Sequence, residues 1–353
     1  MSRTPAPLWT AEPSRFAGWP RRAALAALFA VALAVLLLLR LPFSGEAGGD
    51  PTFQAGAVDA LRHGGDYHQV VAAAVRGGEA AGRLALPPPT LAVIAAATPD
   101  WALSAMLFAL AAATFLAWWP ALDAALARPG ARVGATLLLL AGLGPYLWPP
   151  LLFAPEVWAG LLVALSLGRW ARGAWVEAAA FGLAAGVMRE AAGAYIAVMG
   201  LFAIGTGARR EAIGWGLCLA ALIGVTAAHW AAIRDAAGPL AGPGEEAATR
   251  AGLEALTGAS PLALLPSGAA VLVLALALFG WAAWRAGVGL RIVCTVAATA
   301  ALAFVRPEIG PDWGYLVAAP LLAGLAFAPD GLRDLLRAGG GRRRKITVTR
   351  VVR

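Results

Sequence analysis

Apolar runs broken by short polar turns fill the chain from residue 23 to residue 327. They fall at about 23–39, 90–97, 101–119, 133–148, 157–167, 175–187, 191–204, 212–232, 262–284, 292–305 and 313–327. A succession of this kind has few folds open to it. Sixty per cent of residues are hydrophobic, only 14% are charged, and the mean hydropathy is +0.72. One water-exposed globule of 353 residues cannot hide that much apolar surface, whereas a bilayer can solvate it. In lipid every backbone N–H and C=O needs an internal partner, which leaves helices or a closed barrel. Strand-type alternation is absent and the Ala, Leu, Val and Gly content does not suit a barrel. The expected fold is therefore all-α, a polytopic transmembrane bundle of about ten spans (nine to eleven). Several runs have only about two-thirds of the roughly twenty residues that a perpendicular helix needs.

Charge gives an orientation. The formal charge is +8 and the pI near 10.6. The arginines sit mostly between apolar runs: Arg128/Arg132, Arg169/Arg172, Arg209/Arg210, Arg285/Arg291, and a terminal cluster Arg342-Arg343-Arg344-Lys345. This is the pattern of cytoplasmic turns and contacts to anionic headgroups, not of nucleic-acid binding. It predicts a multi-pass protein of the cell membrane with both termini cytoplasmic. Residues 1–22 form a cytoplasmic tail, 23–328 the membrane domain, and 329–353 a basic cytoplasmic tail. The segment 23–39 reads as an uncleaved anchor. Loops 42–86 and 233–261 fall outside the cytoplasm. That alternation requires 87–97 to be a half-helix or re-entrant piece. Cys218 and Cys294 lie inside apolar runs and read as small core residues.

The first loop carries clear helix punctuation. Asp50 is a good N-cap, Pro51 suits the first helical position, and Gly64-Gly65 ends the helix. Asp66 caps a second helix over 67–76, stopped by Gly77-Gly78. Phe53, Ala57, Ala60 and Leu61 recur at helical spacing, which predicts a first helix lying on the membrane surface.

The residues able to do chemistry are few. Asp50 is either a capping acid or, at the water boundary, a general base for a sugar hydroxyl. Arg189-Glu190 interrupts a stretch that is otherwise apolar from 178 to 204. A charge at mid-helix costs about 2.5–3.5 kcal/mol, so two of them need a partner or a wet cavity. They form either a self-satisfied interfacial turn or a site where a guanidinium fork grips phosphate. The segment from Arg306 to Tyr315 holds three charges and two aromatics in a turn rich in Pro and Gly. It is either an ordinary interfacial turn or a second phosphate contact through Arg306, with Tyr315 orienting a polar ligand. Glu156 follows Pro155 and reads as a favourable acid in a first helical turn. His63, His68 and His229 make no metal pattern, and no phosphate loop or nucleophile elbow is present.

Taken together, several motifs resemble the GT-C superfamily of integral-membrane glycosyltransferases. They are Gly49-Asp50-Pro51-Thr52-Phe53 after the first run, Gly64-Gly65-Asp66-Tyr67-His68, Pro87-Pro88-Pro89, Gly186-Val187-Met188-Arg189-Glu190 and, more weakly, Arg306 to Tyr315. The nearest branch is the polyprenol-phosphate-mannose-dependent one, glycosyltransferase family 87. The resemblance implies a polyprenyl-phosphate-linked sugar as donor and a lipid or glycan as acceptor. It implies Asp50 as catalytic base, with Arg189, Glu190, Arg306, Tyr315 and Tyr67 as substrate-binding residues. It leaves any metal requirement undetermined. Many members place two acids close together in this loop; here the next acid after Asp50 is Asp59. A polytopic transporter or lipid flippase, and a non-catalytic assembly partner in the membrane, remain as alternatives.

Overall fold

The computed structural model describes residues 6–38, 51–76, 86–237, 253–305 and 311–340, and within these it is helical, with one isolated bridge between Thr10 and Leu126. Asp50 and Arg306 lie outside the described residues. Helix α1 spans Arg21–Leu38. The first loop holds α2 (Pro51–Arg62) and α3 (Tyr67–Arg76), joined through Gly64 in the left-handed region at φ 86°. Asp66 caps α3 by accepting from the Gln69 N–H at 3.0 Å. Then α4 (Thr90–Ala97) rises only about 12 Å, too little to cross a bilayer.

The apolar face of α2 is not left for lipid, as the sequence reading expects. It packs on α4, with Ala57 and Val58 buried and Phe53 and Leu61 partly so. Arg62 locks that contact by donating to the Ala95 and Thr98 carbonyls and to Asp100.

The bundle follows: α5 (Asp100–Ala125), α6 (Pro129–Leu143), α7 (Pro155–Ala171), α8 (Trp175–Met188), α9 (Gly193–Gly205) and α10 (Arg209–Ala237). The last runs further than the apolar segment and takes 233–237 out of the second loop. After it come α11 (Leu253–Gly258), α12 (Ser267–Ala283), α13 (Gly287–Val305) and α14 (Ala328–Gly339). Among the described residues, four helices are long and apolar enough to cross a membrane: α5, α10, α13, and α6 with its 3-10 extension to Leu147. Shorter apolar helices cover 175–188, 190–205 and 267–283. Their outer faces carry exposed Leu116, Leu137, Leu201, Ile213, Leu217 and Phe304, as lipid-facing helices require. On α5 the exposed Trp101 and Trp119 are separated by about 27 Å of helix, close to the thickness of a hydrocarbon core.

Three sequence expectations need correction. The run 262–284 is not one helix; Pro266 divides a 3-10 turn (Pro261–Leu264) from α12. Arg291 does not sit in a turn with Arg285. It lies inside α13, only 4% exposed, with its guanidinium 3.7 Å from the centroid of the Trp170 ring and 4.6 Å from that of Phe202. The run 313–327 is not an α-helix. It forms two 3-10 pieces, Pro311–Leu316 and Leu321–Phe327, with Pro320, which has no N–H to donate, just before the second.

This segment threads the bundle. Its start packs on α7, where Gly160 lies against the Tyr315 carbonyl, and its end stacks Phe327 on Trp284 beyond α12. The two 3-10 pieces supply about 26 Å at ~2.0 Å per residue, where α-helix would give about 20 Å. Irregular backbone at such depth has to be covered by protein. Here glycines provide the clearance: Gly142, Gly160 and Gly280 each face a backbone carbonyl that a Cβ would strike.

Candidate functional site

The central pieces of the site are the two ends of α7 and α8, since these helices pack closely along their length. Glu156 opens α7 in its first turn, where an acid is favoured by the helix dipole. Its side chain does more than that. Glu156 Oε1 lies 2.8 Å from Arg189 Nε, with the two side chains 11% and 2% exposed. The Nε–H bond is not aligned on that oxygen, so the contact is an ion pair and not a linear hydrogen bond.

Arg189 ends α8. Its backbone is extended (φ −147°, ψ 113°), which breaks the helix before the 3-10 turn Glu190–Ala192 starts α9. Arg189 Nη1 also donates to Glu190 Oε1 at 3.2 Å. Buried Ala191 and Ala192 let the turn tuck inward, so the charged pair lies under protein and not at a lipid surface. Asp312, at the start of the threaded segment, and Tyr67, on α3, are close enough to interact electrostatically with Arg189. The described residues thus bring three carboxylates, Glu156, Glu190 and Asp312, to one guanidinium.

The first loop is tied to this point. The Tyr67 hydroxyl donates to the Pro87 carbonyl at 2.7 Å, and the Thr90 hydroxyl donates to the Val187 carbonyl at 3.0 Å, two residues before Arg189. Burial pushes the Tyr67 phenol well above its usual range, so it remains a hydrogen-bond donor. Helix α3 packs on α10, where His229 and His68 meet. Tyr315 lies on the threaded segment; its carbonyl accepts from Tyr146 at 2.5 Å and its ring stands edge-on to the Tyr146 ring.

Of the residues that the sequence singles out, Arg189, Glu190 and Tyr67 are therefore brought together, with Tyr315 on the same 3-10 turn as Asp312. Asp50 and Arg306 lie outside the described residues. Sequence reasoning gave Glu156 only its place in a first helical turn. The clue to its pairing was available: an acid at the start of one apolar helix and a base at the end of the next, antiparallel one fall on the same side of the bundle. Among the described residues no group of three or more His, Cys, Asp or Glu is placed to hold a metal ion.

The opposite end of α7 has a different character. A cavity of about 850 Å³ is lined there by Trp170, Trp175, Glu211, Trp284, Arg285 and the N-terminal residues 10–14, among others. The N-terminal segment is fastened beside it. Asp330 accepts from the backbone N–H groups of Leu8, Trp9 and Thr10 at 2.5, 2.8 and 2.9 Å. Arg15 donates to the carbonyls of Ala282, Trp284, Arg285 and Ala286, satisfying the exposed end of α12. Comparison of the chain with protein-family models, curated proteins and solved structures finds no match in any of the three.

Proposed function

We propose that the chain is a membrane glycosyltransferase that moves a sugar from a polyprenyl-phosphate donor to a lipid or glycan acceptor on the extracytoplasmic side. The observation that carries the reading is convergence. Tyr67 from the first loop, Glu156 from α7, Arg189 and Glu190 from the α8–α9 break, and Asp312 from the threaded segment meet at one end of the bundle. Counting the threaded segment and the shorter apolar helices, this reading takes about ten passes: α1, α5–α10, α12, α13 and 311–327. The arginine-rich turns then face the cytoplasm and the Glu156 end faces outward.

In the proposed reaction Asp50 takes the proton of the acceptor hydroxyl. The hydroxyl oxygen attacks the anomeric carbon, the bond from that carbon to the phosphate oxygen breaks, and polyprenyl phosphate leaves with the electron pair. The configuration inverts. Holding two reactants in line and stabilising the departing phosphate are the largest effects available to such a site. Arg189 meets the phosphate when the phosphate displaces Glu190, which at 21% is more exposed than Glu156 at 11%. Glu156 stays in place and fixes the guanidinium. Arg306 is a second phosphate contact in the same scheme.

The test is transfer from a labelled polyprenyl-phosphate hexose by purified protein in lipid nanodiscs. Asp50→Asn and Arg189→Met abolish transfer on this reading. Undiminished transfer by Asp50→Asn removes Asp50 from the mechanism, and no transfer with any donor sugar removes the reading.

One observation favours a second reading, a transporter. The Glu156 end holds a buried ion pair, while a cavity lies at the Trp170 end of the same helices. A helix broken at a buried charge is also a transporter feature. Donor-dependent flux into liposomes without chemical change decides for it.

A further inference from the structure

The cavity of about 850 Å³ at the Trp170 end of α7 lies away from the Arg189 site and takes no part in the reaction proposed above. Its size is that of pockets that enclose most of a small ligand. Three kinds of side chain give the lining its character. The first are indoles: Trp170, Trp175 and Trp284. Phe327 stacks on Trp284 with 4.6 Å between centroids, which fixes that ring. The second are carboxylates, Glu12 on the N-terminal segment and Glu211 at the start of α10. Glu211 Oε1 accepts from the indole N–H groups of Trp170 and Trp215 at 2.7 and 3.3 Å, so the carboxylate is held in one orientation. Its Oε2, and both side-chain oxygens of the exposed Glu12, accept no hydrogen bond among the described residues. The third kind is the exposed Arg285, whose guanidinium donates to nothing among the described residues. Arg15, engaged on backbone carbonyls, is close enough for the two positive charges to repel. Neither arginine forms an ion pair among the described residues.

Each kind of group asks for a different partner. Two neighbouring guanidinium groups with no bonded carboxylate attract a phosphate, and the fork of Arg285 matches it in a bidentate fashion. Carboxylate oxygens with unused lone pairs take hydroxyl donors. Indole faces take a flat face of C–H bonds. Few ligands meet all three demands. Inorganic phosphate leaves the carboxylates and the indoles unused. An organic ammonium ion suits both of those but is repelled by Arg285 and Arg15. A phosphorylated amino alcohol carries both charges but has no ring to lay on three indoles. A sugar phosphate has a C–H face, several hydroxyl donors and an anion in one molecule. The charge of Glu211 does not oppose it, because the buried Arg291, 3.7 Å from the Trp170 ring centroid, interacts electrostatically with Glu211 and offsets it.

We propose that this cavity binds a hexosyl phosphate, with the phosphate on Arg285, the sugar ring against the indoles and its hydroxyls donating to Glu12 and Glu211. As a binding site it rests on its lining; as the point where the donor of the proposed transferase is first taken up, it rests on that reading. The same chemical group belongs to a soluble sugar phosphate and to the head of a polyprenyl-phosphate sugar.

The experiment is equilibrium binding of radiolabelled glucose, galactose and mannose 1-phosphates to the full chain in nanodiscs, with no acceptor present. Saturable binding of at least one is expected. Arg285→Gln removes the charge at an exposed position and is expected to weaken that binding about 10–100-fold, the range of a charge-assisted hydrogen bond. Glu12→Gln, also exposed, is expected to weaken it about 3–10-fold. Arg172→Gln, at an exposed arginine outside the lining, is expected to leave it unchanged. Competition with a short-chain isoprenyl-phosphate hexose separates the two sources: stronger displacement than by the free sugar phosphate assigns the lipid head, and weaker displacement assigns the soluble compound. Inorganic phosphate and phosphoethanolamine are expected to compete poorly. The site is overturned if none of the three sugar phosphates binds saturably, if binding ignores Arg285→Gln, or if phosphoethanolamine displaces the label as well as the sugar phosphate does. A chain that binds in this way but transfers nothing refutes the transferase reading and leaves the site standing. A chain that transfers sugar while its binding ignores Arg285 refutes the site alone.

Discussion

Glu156→Gln is the most informative single change. The guanidinium of Arg189 is 2% exposed and cannot shed its proton. At the observed 2.8 Å separation, an effective dielectric of ~20 gives a gross attraction of about 6 kcal/mol. Desolvation offsets much of that in the intact pair, but removing one partner leaves the other buried and uncompensated. Such losses run to about 3–5 kcal/mol. Glu190 stays within 3.2 Å and supplies part of the missing charge, so the lower figure, about 3 kcal/mol, is expected. At roughly 2 °C per kcal/mol for a large chain, that is a fall of about 6 °C in Tm. The double variant Glu156→Gln/Arg189→Met removes the buried guanidinium with its partner and is expected to recover part of that loss, stopping short of the parent because Glu190 and Asp312 lose their cation. Tryptophan-fluorescence melts in one detergent, with the parent, the single and the double variant side by side, measure this. The reasoning is wrong if Glu156→Gln melts within about 1 °C of the parent, or if the double variant is no more stable than the single one.

Three further outcomes follow from particular contacts. Asp330→Asn is expected to release the N-terminal segment, with amide exchange at residues 8–10 rising about 10–100-fold by mass spectrometry, since charge-assisted hydrogen bonds contribute about 1.5–3 kcal/mol. Burial alone would raise the Asp330 carboxyl, but its three backbone N–H donors and the Thr10 hydroxyl outweigh that and hold it below its usual value. The stabilisation is therefore complete above about pH 3.9 and is lost as the pH falls through the lower folded value, which the same exchange measurement follows. Gly160→Ala drives a Cβ into the Tyr315 carbonyl and is expected to destabilise by about 1–3 kcal/mol or more, whereas Gly134→Ala on α6 meets open space and should stabilise by about 0.5–1 kcal/mol.

What the sequence determined by itself was local. Gly64-Gly65 and Asp66 announce the break between α2 and α3 because only certain residues accept a positive φ or accept a hydrogen bond from a helix N-terminus. The short span of α4 and the start of α8 are equally legible, since apolar length and punctuation are properties of the strand of residues alone. Arg189-Glu190 was visible as a costly interruption in an apolar stretch, and that cost holds whatever surrounds it.

Tertiary structure decided the rest. Whether an apolar run such as 313–327 is α or 3-10 depends on what packs against it, and there the glycines of α6, α7 and α12 leave room for a bare backbone to pass. Whether the face of α2 meets lipid or protein depends on α4, a segment many residues away. Which acid neutralises Arg189, and which imidazole faces His229, are questions of contact between distant helices. Charge is written in the sequence at each residue; the distance between two charges exists only once the chain has folded.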